Sequence, residues 1–249
     1  MTVVEYGDRS RETVILLHGG GLSWWNYRDA AKRLEDRFHV ILPVLDGHAD
    51  SDSGFVSIEK NADEIIDFID RSCGGRVLLI GGLSLGGQIL TEILSRRSDI
   101  CRFAVIESAS VVPMKLTNRM IAPVFGMSYG LIGRRWFAKL QFNSLHIRAA
   151  LFEDYYRDTR KISKQDMISF LTASTAYTIK DGLKETEAEA HIFVGGRESA
   201  QMKKSARMLG DAIKGSSVRI LDGFYHGDFS INHPDEYARL IRGLIFPDM

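Results

Sequence analysis

A serine with a glycine two residues before it and another two residues after it follows a short apolar run. The run is Val77–Ile80, and residues 82–86 read Gly-Leu-Ser-Leu-Gly with Ser84 at the centre. Apolar residues then recur at helical spacing, so the pattern predicts a strand, a sharp turn and a helix. Both glycines are needed because a helix packed this closely on a strand leaves no room for a Cβ atom. The turn makes Ser84 a candidate nucleophile at the positive end of a helix dipole.

A second glycine-rich turn lies upstream. The apolar run Val14–Leu17 predicts a buried strand, and residues 18–21 after it read His-Gly-Gly-Gly. Acyl transfer needs two N–H donors aimed at the developing oxyanion, and a glycine turn lets backbone approach a ligand closely. We assign these donors to Gly20 and to Leu85, the residue after the serine. The alternative interpretation is a plain glycine turn after a strand.

Residues 18–21, residues 82–87 and His226 together resemble the α/β-hydrolase superfamily, and the resemblance covers nearly the whole chain. In that family the catalytic residues follow the order serine, acid, histidine, with the histidine in a loop after the last strand. Here Val218–Leu221 is predicted to be the last strand, and His226 follows in a loop with glycines on both sides. The resemblance implies that His226 is the general base.

The resemblance also implies an acid after the strand that follows the middle segment. That strand is predicted at Ile192–Val194, and the turn after it contains Glu198. We predict that Glu198 orients the histidine, as a carboxylate does in a catalytic triad. The rival is Glu107, at the end of the strand after the serine's helix, a position that some relatives use. A solvated Glu198 paired with Arg197 or Lys203 is the alternative without catalysis.

The other histidines have milder interpretations. Most are predicted to be structural or solvent-facing: His18, His39, His146, His191 and His233. His48 lies in residues 45–51, which resemble the family's loop after the next strand. Val44 and Ala49 depart from the usual aspartate and glycine of that loop, whose role is structural.

Composition limits the remaining possibilities. At 249 residues with 45% hydrophobic content, the chain is predicted to form one domain over residues 1–249. The net charge of zero and the lack of a basic run argue against nucleic acid as a partner. Neither a leader nor a run of about eighteen apolar residues is found, so we expect a cytoplasmic protein that does not span a membrane. Cys73 and Cys101 are too few for a disulfide framework and lack metal-ligand neighbours, so no metal is expected.

Strand and helix patterns alternate on both sides of one long interruption. They predict an α/β fold, a doubly wound, mostly parallel sheet of the α/β-hydrolase type. Besides the strands above, Val40–Leu42 and Phe103–Ile106 are predicted to be buried, and Thr2–Tyr6 is a candidate antiparallel edge. The interruption, at about residues 110–187, is predicted to be a helical cap over the ligand-binding edge of the sheet.

The first part of the cap is apolar and rich in methionine, including Met114, Met120 and Phe125. These side chains either pack the cap onto the domain or line an adaptable hydrophobic pocket. Trp24 and Trp25, after the glycine turn, face the same choice.

The resemblance implies a serine hydrolase that cleaves a small to medium, largely uncharged carboxylic ester through an acyl-enzyme. Its triad would be Ser84, His226 and Glu198, its partner a small acyl substrate, and no cofactor would be required. A thioesterase, a lactonase, an acyltransferase or a carbon–carbon hydrolase or lyase would use the same residues. A receptor-like module that binds a ligand with little catalysis is the alternative from another class.

Overall fold

A computed structural model describes residues 1–246 of the chain. Within these residues there are seven strands in one sheet, in the order β1-β3-β2-β4-β5-β6-β7. β1 pairs antiparallel with β3, and all other neighbours are parallel. The strands are β1 (Val3–Tyr6), β2 (Thr13–Leu17), β3 (His39–Pro43), β4 (Val77–Leu83), β5 (Cys101–Glu107), β6 (Glu189–Gly195) and β7 (Ser217–Leu221). The predicted mostly parallel sheet with an antiparallel first strand is confirmed.

Ten α-helices connect and cover the strands within the described part of the chain. They are α1 (Arg28–Leu34), α2 (Ile58–Ser72), α3 (Leu85–Arg96), α4 (Lys115–Ile132), α5 (Arg135–Ser144), α6 (Phe152–Thr159), α7 (Lys164–Ala176), α8 (Ala200–Ala212), α9 (Asp228–Asn232) and α10 (Pro234–Ile245). None of the helices within residues 1–246 is both long and apolar enough to cross a bilayer.

Helices cover both faces of the sheet, as expected for a parallel sheet whose strands are near-continuous apolar runs. The apolar stripes of α2, α3 and α8 form one core cluster with the sheet. Those of α1 and α10 form a second cluster with alternate strand residues. β4, at the centre, is buried along its whole length. The carboxyl ends of β2, β4, β5 and β6 therefore meet at one edge, where a doubly wound fold binds ligands.

Two local predictions are wrong. The last strand, β7, is largely exposed where a buried strand was predicted, because it is the final strand in the sheet order. An edge strand can leave more of its side chains exposed than a central strand can. The sequence Val-Arg-Ile-Leu is compatible with either position in a sheet. The short helix α9, directly after the loop of His226, was not predicted, because five residues are too few to show a helical period.

The segment between β5 and β6 contains α4, α5, α6 and α7, and the structure describes no strand in it. α4 packs against α7, and α5 packs against both α4 and α6. Gln88 on α3 ties this helical segment to the domain, because its side-chain amide donates to the carbonyl oxygens of Ser110 (2.6 Å) and Ser174 (2.8 Å).

Candidate active site

Ser84 lies at the turn between β4 and α3 in a strained backbone conformation. Its φ is +52° and its ψ is −110°, a region that non-glycine residues rarely adopt. The turn is held because the Ser84 N–H donates to the Glu107 carbonyl oxygen of the neighbouring strand (2.8 Å). Strain of this kind costs of the order of 1–3 kcal/mol and persists only where the surroundings enforce it.

The two flanking glycines permit the close approach that enforces this turn. A Cβ atom on Gly86 would lie 2.1 Å from the Leu17 carbonyl oxygen of β2. One on Gly82 would lie 2.4 Å from the Gly86 carbonyl oxygen. Both distances are far below van der Waals contact, so any larger residue would push α3 away from the sheet.

The glycine-rich turn after β2 is held by side chains on both sides of its central amide. The Gly19 N–H donates to Asn26 Oδ1 (3.2 Å), and the Gly21 N–H donates to His48 Nε2 (3.0 Å). Within residues 1–246 the Gly20 N–H between them has no acceptor. A Cβ atom on Gly20 would lie 3.5 Å from the Leu85 Cβ atom, so this turn meets the start of α3. The Leu85 N–H is itself one of the first amides of a helix, which have no partner within the helix.

Two buried histidines brace this turn against the loop after β3. His18 Nε2 accepts from the Leu45 N–H (3.1 Å), and His48 Nδ1 donates to the Asp46 carbonyl oxygen (3.0 Å). The two rings meet edge to face with centroids 4.9 Å apart. Burial lowers the pKa of His48 to about 4, and burial beside His48 holds the pKa of His18 well below its ordinary value. Both rings are therefore neutral at pH 7, and each uses a lone pair to hold a backbone amide.

The buried His48 predicts a loss of stability in mild acid. Below pH about 6.5 the unfolded chain binds a proton at position 48, which the folded protein does not bind until pH about 4. We therefore expect His48→Gln to remove part of the acid sensitivity. Between pH 7 and pH 5 the wild-type free energy of unfolding should fall by about 2 kcal/mol more than that of the variant.

The measurement is urea unfolding of both proteins at the two pH values. Comparing pH-induced losses removes any fixed cost of the substitution at neutral pH. His18 changes in the same direction, because the substitution removes one cause of its lowered pKa. Equal losses in the two proteins would contradict a neutral, buried His48.

Glu198 and His226 form a direct pair. Glu198 Oε2 lies 2.7 Å from His226 Nδ1, and Oε1 accepts from both Ser108 Oγ (2.7 Å) and the Gly195 N–H (2.7 Å). The Glu198 side chain is only 3% exposed, whereas that of His226 is 45% exposed. The carboxylate is thus a buried anchor, and the ring extends from it toward solvent.

The charge of Glu198 determines which nitrogen of His226 carries the proton. Burial acts to raise the pKa of Glu198, but the hydrogen bonds from His226, Ser108 and the Gly195 N–H bring the pKa below its ordinary value. An ionised carboxylate only accepts, so the proton of neutral His226 is on Nδ1. The Nε2 lone pair is left available for a proton from elsewhere.

Glu107, the rival acid, lies in a different environment. It is buried at the end of β5, and its two oxygens are 3.3 and 3.4 Å from the Ser230 N–H of α9. Burial raises the pKa of Glu107 to about 7. No hydrogen bond joins Glu107 to His226 in the part of the chain that the structure describes.

Ser84, Glu198 and His226 border one cavity of about 450 Å³ at the carboxyl edge of the sheet. Gly20 borders it too, while Leu85 lies behind it and is buried. Within residues 1–246 the Ser84 hydroxyl forms no hydrogen bond to His226. Such catalytic contacts are often long before substrate binds and tighten in the complex.

Known proteins that resemble this chain identify its family. A sequence profile described as the alpha/beta hydrolase family matches residues 14–240. The chain belongs to the alpha/beta hydrolase family. The same fold is found in an alpha/beta hydrolase family protein from Desulfitobacterium hafniense, with a TM-score of 0.81 and 19% identity over 98% of this chain and 100% of that one.

Two further relatives have functional names. A thermophilic esterase from Thermogutta terrifontis has a TM-score of 0.76 and 18% identity, over 98% of this chain and 92% of that one. A protein from Cyberlindnera fabianii named "probable alcohol acetyltransferase" is 30% identical over 102 residues. That match covers 39% of this chain and only 27% of that protein's length. The structural likenesses, at these identities, establish a shared fold.

The walls of the cavity decide against one of the two sequence interpretations for this alpha/beta hydrolase, namely that the cap residues line the pocket. Neither Met114, Met120 nor Phe125 lines it, and the same is true of Trp24 and Trp25. The apolar lining comes instead from the glycine-rich turn, the end of β4, the segment after α5, α8 and α9: Leu22, Leu83, Leu145, Ile147, Met202 and Ile231. Periodicity identifies which residues share a helix face, but it does not identify what that face covers.

One side of the cavity is a stack of three side chains. The rings of His146 and Tyr225 are parallel with centroids 3.7 Å apart. The central carbon of the Arg197 guanidinium lies 5.0 Å from the centroid of the Tyr225 ring. Arg197 Nη1 also donates to the Tyr225 hydroxyl (2.7 Å). Neither this stack nor the role of Ser108 in holding Glu198 was predicted from the sequence. Ser108 could have been found, since it directly follows β5 at the same sheet edge.

Proposed function

We propose that this alpha/beta hydrolase is a serine hydrolase that cleaves a small to medium, largely uncharged carboxylic ester. In this proposal Ser84 is the nucleophile, His226 the general base and Glu198 the acid that orients it. Gly20 and Leu85 supply the oxyanion donors. The observation that carries the proposal is the Glu198–His226 contact of 2.7 Å at the same cavity as Ser84.

Acylation would begin when the Ser84 oxygen attacks the ester carbonyl carbon. The serine proton passes to His226 Nε2, because Nδ1 is already bonded to Glu198. The resulting imidazolium is stabilised by the buried carboxylate. The N–H groups of Gly20 and Leu85 bind the oxyanion, and His226 then protonates the departing alcohol.

Deacylation repeats the sequence with water. Neutral His226 removes a proton from a water molecule, which attacks the carbonyl carbon of the acyl-enzyme. The same N–H groups bind the second oxyanion. Collapse of this intermediate returns the proton to Ser84 and releases the carboxylic acid. Every step uses groups of this chain.

The cavity supports the substrate class. Its volume of about 450 Å³ suits a small to medium molecule, and six of its lining residues are leucine, isoleucine or methionine. Each acyl methylene that becomes buried there should raise kcat/KM by up to about fourfold until the cavity is full. A panel of p-nitrophenyl esters of graded acyl length, with thioesters and lactones alongside, tests the class.

Two methionines offer a matched test of where the acyl chain binds. Met202 lines the cavity, whereas Met120 is exposed on α4 away from it. We expect Met202→Ala to shift the preferred acyl length and Met120→Ala to leave it unchanged. A shift caused by Met120→Ala instead would place the acyl chain on the outer part of the helical segment.

Acyl transfer to an alcohol is the second candidate function. It is favoured by the match of 30% identity to the protein named "probable alcohol acetyltransferase". The acyl-enzyme is the same, and only the second nucleophile differs. Adding ethanol to the ester assay and measuring the new ester against the free acid distinguishes transfer from hydrolysis. A chain that a fluorophosphonate fails to label on Ser84 would instead be a receptor-like module.

A further inference from the structure

The outer face of α4 exposes apolar side chains along its whole length. They are spaced four, four, three and four residues apart and so share one helix face: Leu116, Met120, Val124, Met127 and Leu131. Met127 is 83% exposed and Leu116 is 78% exposed. An apolar stripe at this period normally faces a protein core.

The core contacts of α4 are already made by its other face. Ile121 and Ile132 are buried, and the partly buried Phe125 and Tyr129 pack against the main core. The Tyr129 hydroxyl also donates to the Ile162 carbonyl oxygen (2.7 Å). The outer stripe is thus a second apolar face, and a row of this size on a protein surface indicates an interaction site.

The next helix, α5, continues the same character. Trp136 is 64% exposed, and Leu140, one turn later, is also exposed. An indole ring has a large apolar body and a polar N–H, which suits it to the boundary between water and hydrocarbon. Beyond α5, the half-exposed Leu145 lines the active-site cavity, so apolar surface is present up to the cavity mouth.

The helices α4 and α5 carry basic side chains and no acidic ones. The chain as a whole is neutral, yet residues 108–152 contain no aspartate or glutamate. They contain six basic residues: Lys115, Arg119, Arg134, Arg135, Lys139 and Arg148. Arg135 pairs with Glu153, and Arg148 pairs with Asp29. The other four have no acidic partner within the described residues, and they lie at the two ends of α4 and on α5.

We propose that the outer face of α4 and the exposed side of α5 dock on an anionic lipid bilayer surface. An apolar stripe bordered by lysine and arginine, with a tryptophan beside it, has the composition of a helix that lies in the membrane interface. Anionic headgroups complement the four unpaired cations, while the apolar side chains enter the headgroup boundary. A second copy of this chain is disfavoured, because a symmetric contact would bring these cations against their own equivalents.

Vesicle flotation of the full chain tests the docking. The probes are vesicles of phosphatidylcholine alone and of phosphatidylcholine with about a third phosphatidylglycerol, a proportion that gives a strongly negative surface. We expect the wild type to float with the anionic vesicles and not with the neutral ones, and to release when salt is added. No flotation with anionic vesicles, or equal flotation with both kinds, would overturn the proposal.

Matched variants separate this surface from general stickiness. The double variant Leu116→Ser, Met127→Ser should bind anionic vesicles at least about tenfold more weakly, since it removes two large apolar groups. Val56→Ser is the control, because Val56 is 73% exposed but precedes α2 in another part of the molecule. The control should bind like the wild type, and equal weakening by both changes would contradict docking through α4.

Two further readouts do not depend on turnover. Adding anionic vesicles should shift the tryptophan emission of the wild type to shorter wavelength, and Trp136→Phe should abolish that shift.

Sedimentation equilibrium without lipid should give a monomer. A dimer that Met127→Ser dissociates would assign the surface to a second copy and overturn the proposal. Ser84→Ala should float like the wild type, so this test is independent of the proposed catalysis.

Discussion

Replacing Ser84 with alanine should lower kcat for ester hydrolysis by about 10⁴-fold or more, because no other group can form the acyl-enzyme. The fold should be unaffected. Alanine has nearly the same backbone preferences as serine at a φ of +52°, and the Ser84 side chain makes no hydrogen bond within the described residues that would be lost. Initial rates with a p-nitrophenyl ester and a thermal unfolding scan measure the two quantities.

Ser144 provides the control. It borders the same cavity, and its hydroxyl donates only to the Gln141 carbonyl oxygen (2.6 Å). Ser144→Ala should therefore retain wild-type kcat. A fluorophosphonate should add its mass to the peptide containing Ser84, and the adduct should disappear in Ser84→Ala. An adduct on Ser144 or Ser199 would invalidate the assignment of the nucleophile.

Glu198→Gln should lower kcat by about a hundredfold or more, because the amide would present N–H groups to His226 and disturb its tautomer and orientation. The Ser108 hydroxyl and the Gly195 N–H would also lose a charged acceptor. KM should change little, since Glu198 lies beneath the histidine and is nearly buried. Steady-state kinetics of the two proteins on one ester give both values.

Glu107→Gln is the matched comparison at the rival position. Glu107 contacts the Ser230 N–H and not His226, and burial already raises its pKa to about 7. Neutralising this carboxyl should therefore change kcat by less than about threefold. A larger loss in Glu107→Gln than in Glu198→Gln would move the acid to position 107.

The sequence predicted the sheet and the turn at Ser84 because local chemistry determines them. Gly82 and Gly86 are required by atoms that would otherwise be about 2 Å away, so their spacing carries three-dimensional information. The apolar run of β4 also carries three-dimensional information, because only a central strand is buried on both faces. The loop of His226 could be located through the family's chain order.

The choice between Glu198 and Glu107 depends on distances that no local pattern contains. Both carboxylates follow parallel strands and reach the same sheet edge. The path of the loop after β7 brings His226 to Glu198 and brings α9 to Glu107. The partnership of Ser108 with Glu198, across 90 positions of sequence, depends on the same strand order.

The apolar residues of α4 illustrate another limit. Their spacing is that of a packed helix, and the two interpretations offered from sequence were packing onto the domain and lining a pocket. In the structure Ile121 is buried, while Met120 and Met127 on the neighbouring face are exposed. A helix with apolar residues on nearly every side has no single direction that its periodicity can identify.

The glycine-rich turn holds the Gly20 N–H in a fixed position. Gly19 and Gly21 have their N–H groups engaged by Asn26 and His48, so the turn is not free to rotate and satisfy the Gly20 N–H. A ligand whose oxygen anion accepts from this fixed N–H would bind only the native chain, because the unfolded chain does not hold the turn. Anion binding and resistance to unfolding are therefore thermodynamically linked at this turn, whether or not a reaction follows.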